Sequence, residues 1–233
     1  MNGESTGTLR VVATPIGNLG DASPRCREAL GSADLIACED TRVAAKLLAA
    51  LALESPPLVS YRDANETASA EGLVEKLRRG QTVAVLPDAG TPGISDPGFR
   101  LVRLCHREGI PVVPVPGPSA CVAALSASGL PSDRFYFVGF LPPKSAARRR
   151  FLAAHADFPS TIVLYESVHR IEKLLDEIVG ELGPRRVLSV ARELTKKFET
   201  ILSGPAESVR AAVLDRSRKG EFTVLLAPPD FRL

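Results

Sequence analysis

Gly- and Pro-rich turns follow short apolar runs in the first half of the chain, and this order constrains the fold more than any other feature of the sequence. The turns lie at residues 14–21, 87–92, 95–98 and 116–120. An apolar run, a Gly-rich turn and a helical pattern in that order are typical of an open α/β sheet, which binds ligands at the carboxyl ends of its strands. The repeated turns therefore predict a crevice that is built from backbone and fitted to a cofactor.

The composition fits a globular protein with one large or two small domains. The 233 residues are 45% hydrophobic, which is enough for a sizeable core. No apolar run approaches the ~20 residues that span a bilayer, and the polar start predicts a disordered tail over residues 1–8. The four cysteines form no CxxC pair, so we expect buried thiols in a reduced, cytoplasmic protein and no metal site.

The first half of the chain alternates between strand and helix patterns. We predict strands at 9–13, 35–38, 58–60, 82–86 and 110–115, and helices at 24–31, 41–51, 67–79 and 97–107. Ser23 and Pro24 favour a capped helix start, and the two prolines of the last strand favour an edge position. This alternation predicts a mostly parallel sheet with right-handed crossovers, in an N-terminal α/β domain over residues 9–116.

The same rhythm resumes after a hinge that we predict at residues 116–118. Strands are predicted at 135–138, 161–165, 187–191, 198–202 and 222–227, and helices at 119–128, 146–155, 168–182 and 205–214. The late strands are less regularly separated by helices. We therefore expect a mixed sheet in a C-terminal α/β domain over residues 119–233.

The turns themselves suggest ligand contacts, each with a structural alternative. Gly17 and Gly20 let a ligand approach the backbone, but their GxxG spacing differs from the GxGxxG spacing of dinucleotide sites. Glu39 nevertheless follows about 20 residues later, where such folds place a ribose-binding acid. The alternative is an ordinary strand-to-helix turn. Likewise, Asp40 can cap a helix while Glu39 pairs with Arg42.

The second half of the chain carries charged segments that could form a site. Glu166, His169, Arg170, Glu193 and Lys196 follow two predicted strands and would lie on one rim of a sheet. The net charge of +2 does not by itself indicate a nucleic-acid-binding protein. The Lys/Arg clusters at 148–150, 185–186, 196–197 and 216–219 would suit a phosphate backbone, with solvated helix faces as the alternative. The absence of Trp and the 5% aromatic content argue against base-stacking platforms.

A family resemblance runs from Leu9 to about Ala227. It is carried by VATPIGNLGD at 12–21, CEDTR at 38–42, NE at 65–66, DAGTPGISDPG at 88–98, PGPSA at 116–120, SGLP at 128–131, GFLPPK at 139–144, YESVHR at 165–170, RELTKK at 192–197 and KGEF at 219–222. In this order the segments resemble the tetrapyrrole-methylase-like (class III) methyltransferases, which use S-adenosylmethionine. Among these they are similar to the bacterial enzymes that methylate the ribose 2′-oxygen of a cytidine in the 16S rRNA decoding centre. Val168 stands where that family usually has proline.

The resemblance implies two α/β domains with a cofactor cleft between them, a homodimer, the small ribosomal subunit as substrate and no membrane association. It implies S-adenosylmethionine as cofactor, held by Pro15, Gly17, Asp88, Gly90, Thr91, Ser119, Ala120 and Tyr165. It implies RNA contacts by Arg42, Lys144, Arg148, Arg149, Arg150 and Arg170. The reaction would be an in-line attack of the ribose oxygen on a sulfonium methyl group, with Lys196 at lowered pKa taking the proton and with Glu166, Glu193 and His169 as partners or rivals.

Three alternatives stay open at this point. The first is a methyltransferase of the same fold that acts on a tetrapyrrole, against which the Lys/Arg-rich loops count. The second is a nicotinamide-dependent oxidoreductase, against which the incomplete glycine fingerprint counts. The third is a non-catalytic RNA-binding protein, which would bind RNA without transferring a methyl group.

Overall fold

The computed structural model describes residues 6–62, 64 and 66–233, and the chain divides into two compact units between Ser119 and Ala120. Most of the predicted tail, and Asn65 of the family motif, lie outside the described residues. The tail prediction is wrong for Gly7 and Thr8. The amide of Gly7 donates to Leu77 O, and Thr8 O accepts from the amide of Val83, so both residues belong to the fold.

The N-terminal unit contains one parallel sheet of five strands. Its strands are β1 (Leu9–Val12), β2 (Leu35–Cys38), β3 (Leu58–Ser60), β4 (Val83–Leu86) and β5 (Val112–Val115); its helices are α1 (Pro24–Gly31), α2 (Thr41–Ala50), α3 (Glu66–Arg78) and α4 (Phe99–Arg107). The strand order is β3-β2-β4-β1-β5, and every pairing is parallel. The predicted parallel sheet and the edge position of the proline-bearing strand are confirmed.

Both faces of this sheet are covered by helices. On β2, Ile36 and Cys38 pack into the core formed with α1 and α2, whereas Leu35 and Ala37 pack into the core formed with α3 and α4. Successive side chains of a strand point to opposite faces, so a strand buried on both sides is apolar throughout. The sheet is therefore the middle of three layers, and only its edges and strand ends remain accessible.

The C-terminal unit contains a mixed sheet of five strands. Its strands are β6 (Phe135–Phe140), β7 (Thr161–Ser167), β8 (Val187–Arg192), β9 (Thr200–Pro205) and β10 (Glu221–Leu226); its helices are α5 (Ala120–Ala127), α6 (Ser145–Ala154), α7 (Ile171–Leu182) and α8 (Ala206–Leu214). The order is β6-β7-β10-β8-β9, in which β6 and β7 are parallel and the other pairs are antiparallel. This confirms the predicted mixed sheet. Helices α6, α7 and α8 build the main core on one face.

Two helices begin two or more residues later than predicted, and in both a carboxylate holds the residues before the helix. Helix α4 begins at Phe99 rather than Pro97 because the side chain of Glu66 accepts hydrogen bonds from the amides of Gly98 and Arg100. Helix α7 begins at Ile171 rather than Val168 because Glu166 accepts from Arg170 and holds the intervening residues in a turn. In the described part of the chain, no helix is both long and apolar enough to cross a bilayer.

Candidate functional site

Three turns meet at the carboxyl edge of the parallel sheet. Thr14, just after β1, exchanges two backbone hydrogen bonds with Gly90 in the turn after β4, with N···O distances of 2.8 and 3.1 Å. The hydroxyl of Thr91 donates to Pro118 O in the turn after β5, at 3.0 Å. The turns that the sequence singles out are therefore joined to one another.

The backbone at Gly90 approaches its neighbours closely. A Cβ atom on this residue would lie 3.5 Å from Ile16 Cγ2, and φ is +89°, a value that L-residues with side chains rarely adopt. Gly90 itself is buried and both of its backbone groups are bonded to Thr14, so glycine here lets the two turns pack against each other. Asp88 and Ala89 of the same turn are exposed and remain open to a ligand.

The turn after β2 is joined to the same edge by Asp88. Its Oδ1 accepts a hydrogen bond from the amide of Asp40 at 3.0 Å. Asp40 in turn caps α2 by accepting from the amide of Arg42 and forms an ion pair with the Arg42 guanidinium, and these hydrogen bonds hold the pKa of the Asp40 carboxyl well below its ordinary value. The capping alternative is thus confirmed for Asp40, which also forms an ion pair with Arg42.

The chemistry of this edge fits a small polar cofactor. Thr14 is fully buried and its hydroxyl lacks a hydrogen-bond partner, one of two such buried side-chain atoms in the described residues. Close to it are the turn of Gly90, the exposed carboxylate of Asp88 and the apolar side chain of Ile16. An unpaired hydroxyl, one anionic group and apolar contacts suit an adenosine-bearing cation.

In the C-terminal unit, Lys196 lies at the centre of a compact charged cluster. Its Nζ donates to Glu193 Oε1 at 2.9 Å and to Glu221 Oε2 at 2.8 Å. The Lys196 side chain is 30% exposed and that of Glu193 is 19% exposed. Because β8 ends at Arg192 beside Phe222 of β10, the cluster lies at one edge of the mixed sheet.

The loop that carries Lys196 has an unusual backbone. Glu193 and Thr195 adopt φ values of +52° and +65°, in the left-handed region that residues other than glycine rarely occupy. Arg192 holds the loop on both sides, because its guanidinium donates to Lys219 O and to Phe198 O. The hydroxyl of Thr195 is the second buried side-chain atom without a partner among the described residues. Strain of this kind persists only where surrounding contacts enforce it.

The pKa of Lys196 differs from the expectation. Burial acts to lower it, but the hydrogen bonds to Glu221 and Glu193 outweigh burial, and the pKa lies above its ordinary value. For Glu193 burial acts to raise the pKa, but the hydrogen bonds from Lys196 and from the amide of Glu221 outweigh it and lower the pKa. The two carboxylates therefore favour the protonated form of Lys196, opposite to the lowered pKa that we expected. The identity of the proton acceptor stays a prediction.

Glu166 is also a poor proton acceptor, for a different reason. Its side chain is 0% exposed and both oxygens accept from the Arg170 guanidinium, at 2.7 and 2.8 Å. Arg170 also donates to Leu141 O. Glu166 therefore positions Arg170 rather than touching a substrate, which corrects its assignment as a catalytic residue.

Comparison with known proteins identifies the family. The model of the Tetrapyrrole (Corrin/Porphyrin) Methylases matches residues 8–210. The chain belongs to the tetrapyrrole methylase family. Two members named ribosomal RNA small subunit methyltransferase I are close in sequence. The protein of Xylella fastidiosa strain Temecula1 is 49% identical, and the match covers 94% of this chain and 81% of that protein. The protein of Escherichia coli O157:H7 is 48% identical, and the match covers 95% of this chain and 78% of that protein. These identities assign the chain to the same branch of the family.

Solved structures of the tetrapyrrole methylase family share the fold. Diphthine synthase matches with a TM-score of 0.72 at 14% identity, covering 95% of this chain and 90% of that one. Uroporphyrin-III C-methyltransferase from Thermus thermophilus, complexed with S-adenyl homocysteine, matches with a TM-score of 0.61 at 23% identity, covering 94% and 96%. The expected fold class, a parallel sheet followed by a mixed one, is confirmed. Membership in a methylase family argues against the two alternatives of a nicotinamide-dependent oxidoreductase and a non-catalytic RNA-binding protein.

One predicted RNA contact of this family member is wrong. The side chain of Arg148 is 2% exposed and its guanidinium binds the carboxylate of Glu177 and Pro143 O. A buried guanidinium with these partners cannot reach a phosphate, so Arg148 fastens α6 to α7. Lys144, Arg149 and Arg150 are exposed, although Arg149 forms an ion pair with Glu181.

The other predicted site residues lie at strand ends or helix starts. His169 is exposed in the turn between β7 and α7, and Arg42 is exposed at the start of α2. The Tyr165 hydroxyl accepts a hydrogen bond from the amide of Cys121 at 3.0 Å, so it supports the first turn of α5, which Ala120 opens. Cofactor contacts by Ser119, Ala120 and Tyr165 stay predictions.

Sequence reasoning missed Gly220 and Glu221, although their segment belongs to the family motifs. A Cβ atom on Gly220 would lie 2.4 Å from Glu193 Cγ, so this glycine makes room for the carboxylate that holds Lys196. Glu221 supplies the second carboxylate. Neither role can be read from the sequence, because it depends on β10 lying beside β8 in the sheet.

Proposed function

We propose that this chain transfers the methyl group of S-adenosylmethionine to the ribose 2′-oxygen of a cytidine in the decoding centre of 16S rRNA. The observation that carries the proposal is the 49% identity to a ribosomal RNA small subunit methyltransferase I, which extends over 94% of the chain and includes the loop of Lys196. The substrate is the small ribosomal subunit in the cytoplasm, and the enzyme acts as a homodimer.

The methyl donor is held by the turns of the N-terminal unit. Pro15 and Gly17 lie in the turn after β1, and Asp88, Gly90 and Thr91 lie in the turn after β4. The cofactor supplies a methyl group already activated on a sulfonium. The protein therefore has mainly to bind, orient and exclude water, which places the catalytic burden on geometry.

The charged cluster of the C-terminal unit handles the ribose hydroxyl. The protonated Lys196 fixes the carboxylate of Glu193 through the 2.9 Å hydrogen bond, and Glu193 accepts the hydroxyl proton. A carboxylate of lowered pKa is a weak base, but it suffices when the proton leaves an oxygen that is already bonding to carbon and is therefore strongly acidic. Lys196 is then a positioning residue, and Arg170, held by Glu166, binds a phosphate of the substrate strand.

The test uses labelled S-adenosylmethionine and small subunits from a strain that lacks this gene, followed by digestion of the rRNA to nucleosides. We expect label in 2′-O-methylcytidine. Label in another nucleoside, or none while calorimetry shows cofactor binding, would contradict the proposed reaction.

Variants of Lys196 test the proposed roles in the same assay. Lys196→Ala should abolish transfer with cofactor affinity kept, and Lys196→Arg should retain part of it because the cation is preserved. Lys173→Ala, an exposed lysine of α7, is the matched control and should behave as wild type. If Lys196→Arg is as inactive as Lys196→Ala and Glu193→Gln is active, then Lys196 itself is the proton acceptor.

A further inference from the structure

Aromatic and charged residues lie along one end of the mixed sheet, where β6, β7 and β8 end and β9 and β10 begin. Pairing of β6 with β7 places Phe140 beside Tyr165, and pairing of β10 with β8 and of β8 with β9 continues the edge through Phe222, Arg192 and Thr200. We call this the Lys196 edge, since the cluster of Lys196 lies on its β8 and β10 section. Neighbouring strands are about 4.8 Å apart, so the β6 and β9 ends are roughly 19 Å apart.

Phe140 lies at the β6 end of the Lys196 edge, and its ring is exposed to solvent. Its side chain is 57% exposed, although its size and apolar character favour burial. A β-bulge between Phe137 and Gly139 shifts the register, so Phe137 and Phe140, three residues apart, both meet Tyr165 edge-on at 5.0 and 5.8 Å. Without the bulge they would point to opposite faces. The ring of Phe140 therefore contacts the sheet through Tyr165 while it remains open to solvent.

Phe198 stands at the other end, in the strained loop that carries Lys196. Its side chain is 64% exposed, and the Lys197 ammonium lies 5.6 Å from the ring centroid, within cation–π distance. The carbonyl of Phe198 accepts from Arg192, which anchors the residue. An open aromatic ring thus occurs at both ends of the edge. A cation lies over the ring of Phe198, and the exposed Lys144 follows Phe140 by four residues in the sequence.

This combination matches the chemistry of an unpaired nucleic-acid strand. Such strands bind where cations meet the phosphates and aromatic rings stack on the bases, and stacking tolerates any base because each has a π-face. In a duplex both faces of an internal base are already stacked, so open rings discriminate in favour of the single strand. A partner protein would need an extended apolar patch, whereas these rings are separated by the charged cluster.

We infer that the Lys196 edge binds an unpaired strand of RNA, with bases stacked on Phe140 and Phe198 at either side of the target nucleotide. This inference rests on the proposed function, from which it takes RNA as the substrate. It adds that the target must be single-stranded or locally opened, and that two phenylalanines select that state.

The test measures the affinity of full-length variants for a twelve-nucleotide RNA of mixed sequence and for the same RNA annealed to its complement. Phe140→Ala and Phe198→Ala should each raise the Kd for the single strand about 5- to 150-fold, the equivalent of ~1–3 kcal/mol of stacking per base, and should leave the duplex Kd unchanged. Phe99→Ala is the matched control, because Phe99 of α4 is 67% exposed in the N-terminal unit. Circular dichroism melting confirms that each variant folds.

The outcomes separate this inference from the proposed function. Wild-type affinity in both edge variants, an equal loss for duplex and single strand, or a loss of dimer in sedimentation without a change in RNA affinity would each overturn the stacking role. Methylation of small subunits by the wild-type enzyme is scored separately. If the wild type binds the single strand through these rings but labels no 2′-O-methylcytidine, the proposed reaction fails and the RNA-binding edge stands.

Discussion

Substitution of Gly220 by alanine tests whether the geometry of the Lys196 cluster controls both stability and catalysis. Gly220 precedes β10, has φ at +113° and faces the side chain of Glu193. A methyl group there would lie 2.4 Å from Glu193 Cγ and 2.5 Å from its Oε1, far inside van der Waals contact. Glu193 must therefore move, and its hydrogen bonds to Lys196 and to the amide of Glu221 must break.

Two terms set the size of the effect. Alanine at this φ costs ~1–3 kcal/mol in backbone strain. Loss of the hydrogen bond between Lys196 and Glu193 costs ~1.5–3 kcal/mol, and we take the lower end because the Lys196 side chain is partly exposed. The hydrogen bond from the Glu221 amide is exposed, so water can replace it and we add nothing for its loss. The sum is about 3 kcal/mol, which lowers the Tm by roughly 6–12 °C in a chain of this length. Methyl transfer should fall at least ~100-fold, since displacement by about 1 Å suffices for such a loss.

The assay pairs thermal unfolding, followed by circular dichroism, with methyl transfer to small subunits. Gly180→Ala is the control, because Gly180 lies inside α7 and a Cβ atom there would have no neighbour within 4 Å. That variant should be stabilised by ~0.5–1 kcal/mol and remain active. Wild-type stability and turnover in Gly220→Ala would refute the proposal that Glu193 must keep its position for Lys196.

Three further predictions concern single groups. Glu66→Ala should destabilise the protein by about 3 kcal/mol and speed hydrogen exchange in α4, because it orphans two buried donors at ~1–3 kcal/mol each; Glu71→Ala on the exposed face of α3 should change stability by less than ~0.5 kcal/mol. Arg148→Ala should lower the free energy of unfolding, measured in urea, by ~3–5 kcal/mol because it leaves a buried carboxylate unpaired. Arg150→Ala should leave the free energy of unfolding unchanged and should reduce the slope of log K for RNA binding against log salt concentration by ~1. The stabilisation from the ion pair of Lys196 with its Glu193 partner, measured against Lys196→Met, should be constant from about pH 5 to 10; it falls only as the pH drops through the lowered carboxyl pKa or rises through the raised ammonium pKa.

The order of elements could be predicted because it depends on local patterns. Four consecutive apolar residues form β2 and again β4, as expected for strands buried on both faces, and Ser23 caps α1 by accepting from the amide of Cys26. Pro111 and Pro114, just before and within β5, disfavour a central position, and β5 lies at the edge. Each of these features is decided within a few residues of sequence.

Element boundaries that depend on distant residues could not be predicted. The start of α4 is set by Glu66, which lies more than thirty residues earlier and accepts from the amides of Gly98 and Arg100. Strand β6 continues past Val138 to Phe140 because the bulge at Gly139 allows pairing with β7 to resume. Such contacts exist only after the sheet and its helices have assembled.

The candidate site shows the same division between residue type and environment. The motif RELTKK identifies a charged segment but not its protonation, since the pKa of Lys196 depends on Glu221, which comes from another strand. Consecutive arginines read as one cationic run, yet Arg148 turns inward to Glu177 while Arg150 remains exposed. A low aromatic content argued against base stacking, but the binding surface that we infer needs only the two exposed rings of Phe140 and Phe198.

The backbone of the Lys196 loop explains why this segment should carry function. Two residues other than glycine in the left-handed region cost of order 1–3 kcal/mol each, and the loop also leaves the hydroxyl of Thr195 buried without a partner. A turn that only connected β8 to β9 would incur neither penalty, since glycine at positions 193 and 195 would relieve the strain. The structure instead retains Glu193 and Thr195 and enforces their conformation through Arg192. The strain fixes the ammonium of Lys196 and the ring of Phe198 on one loop, so the groups proposed for proton transfer and for stacking are positioned together.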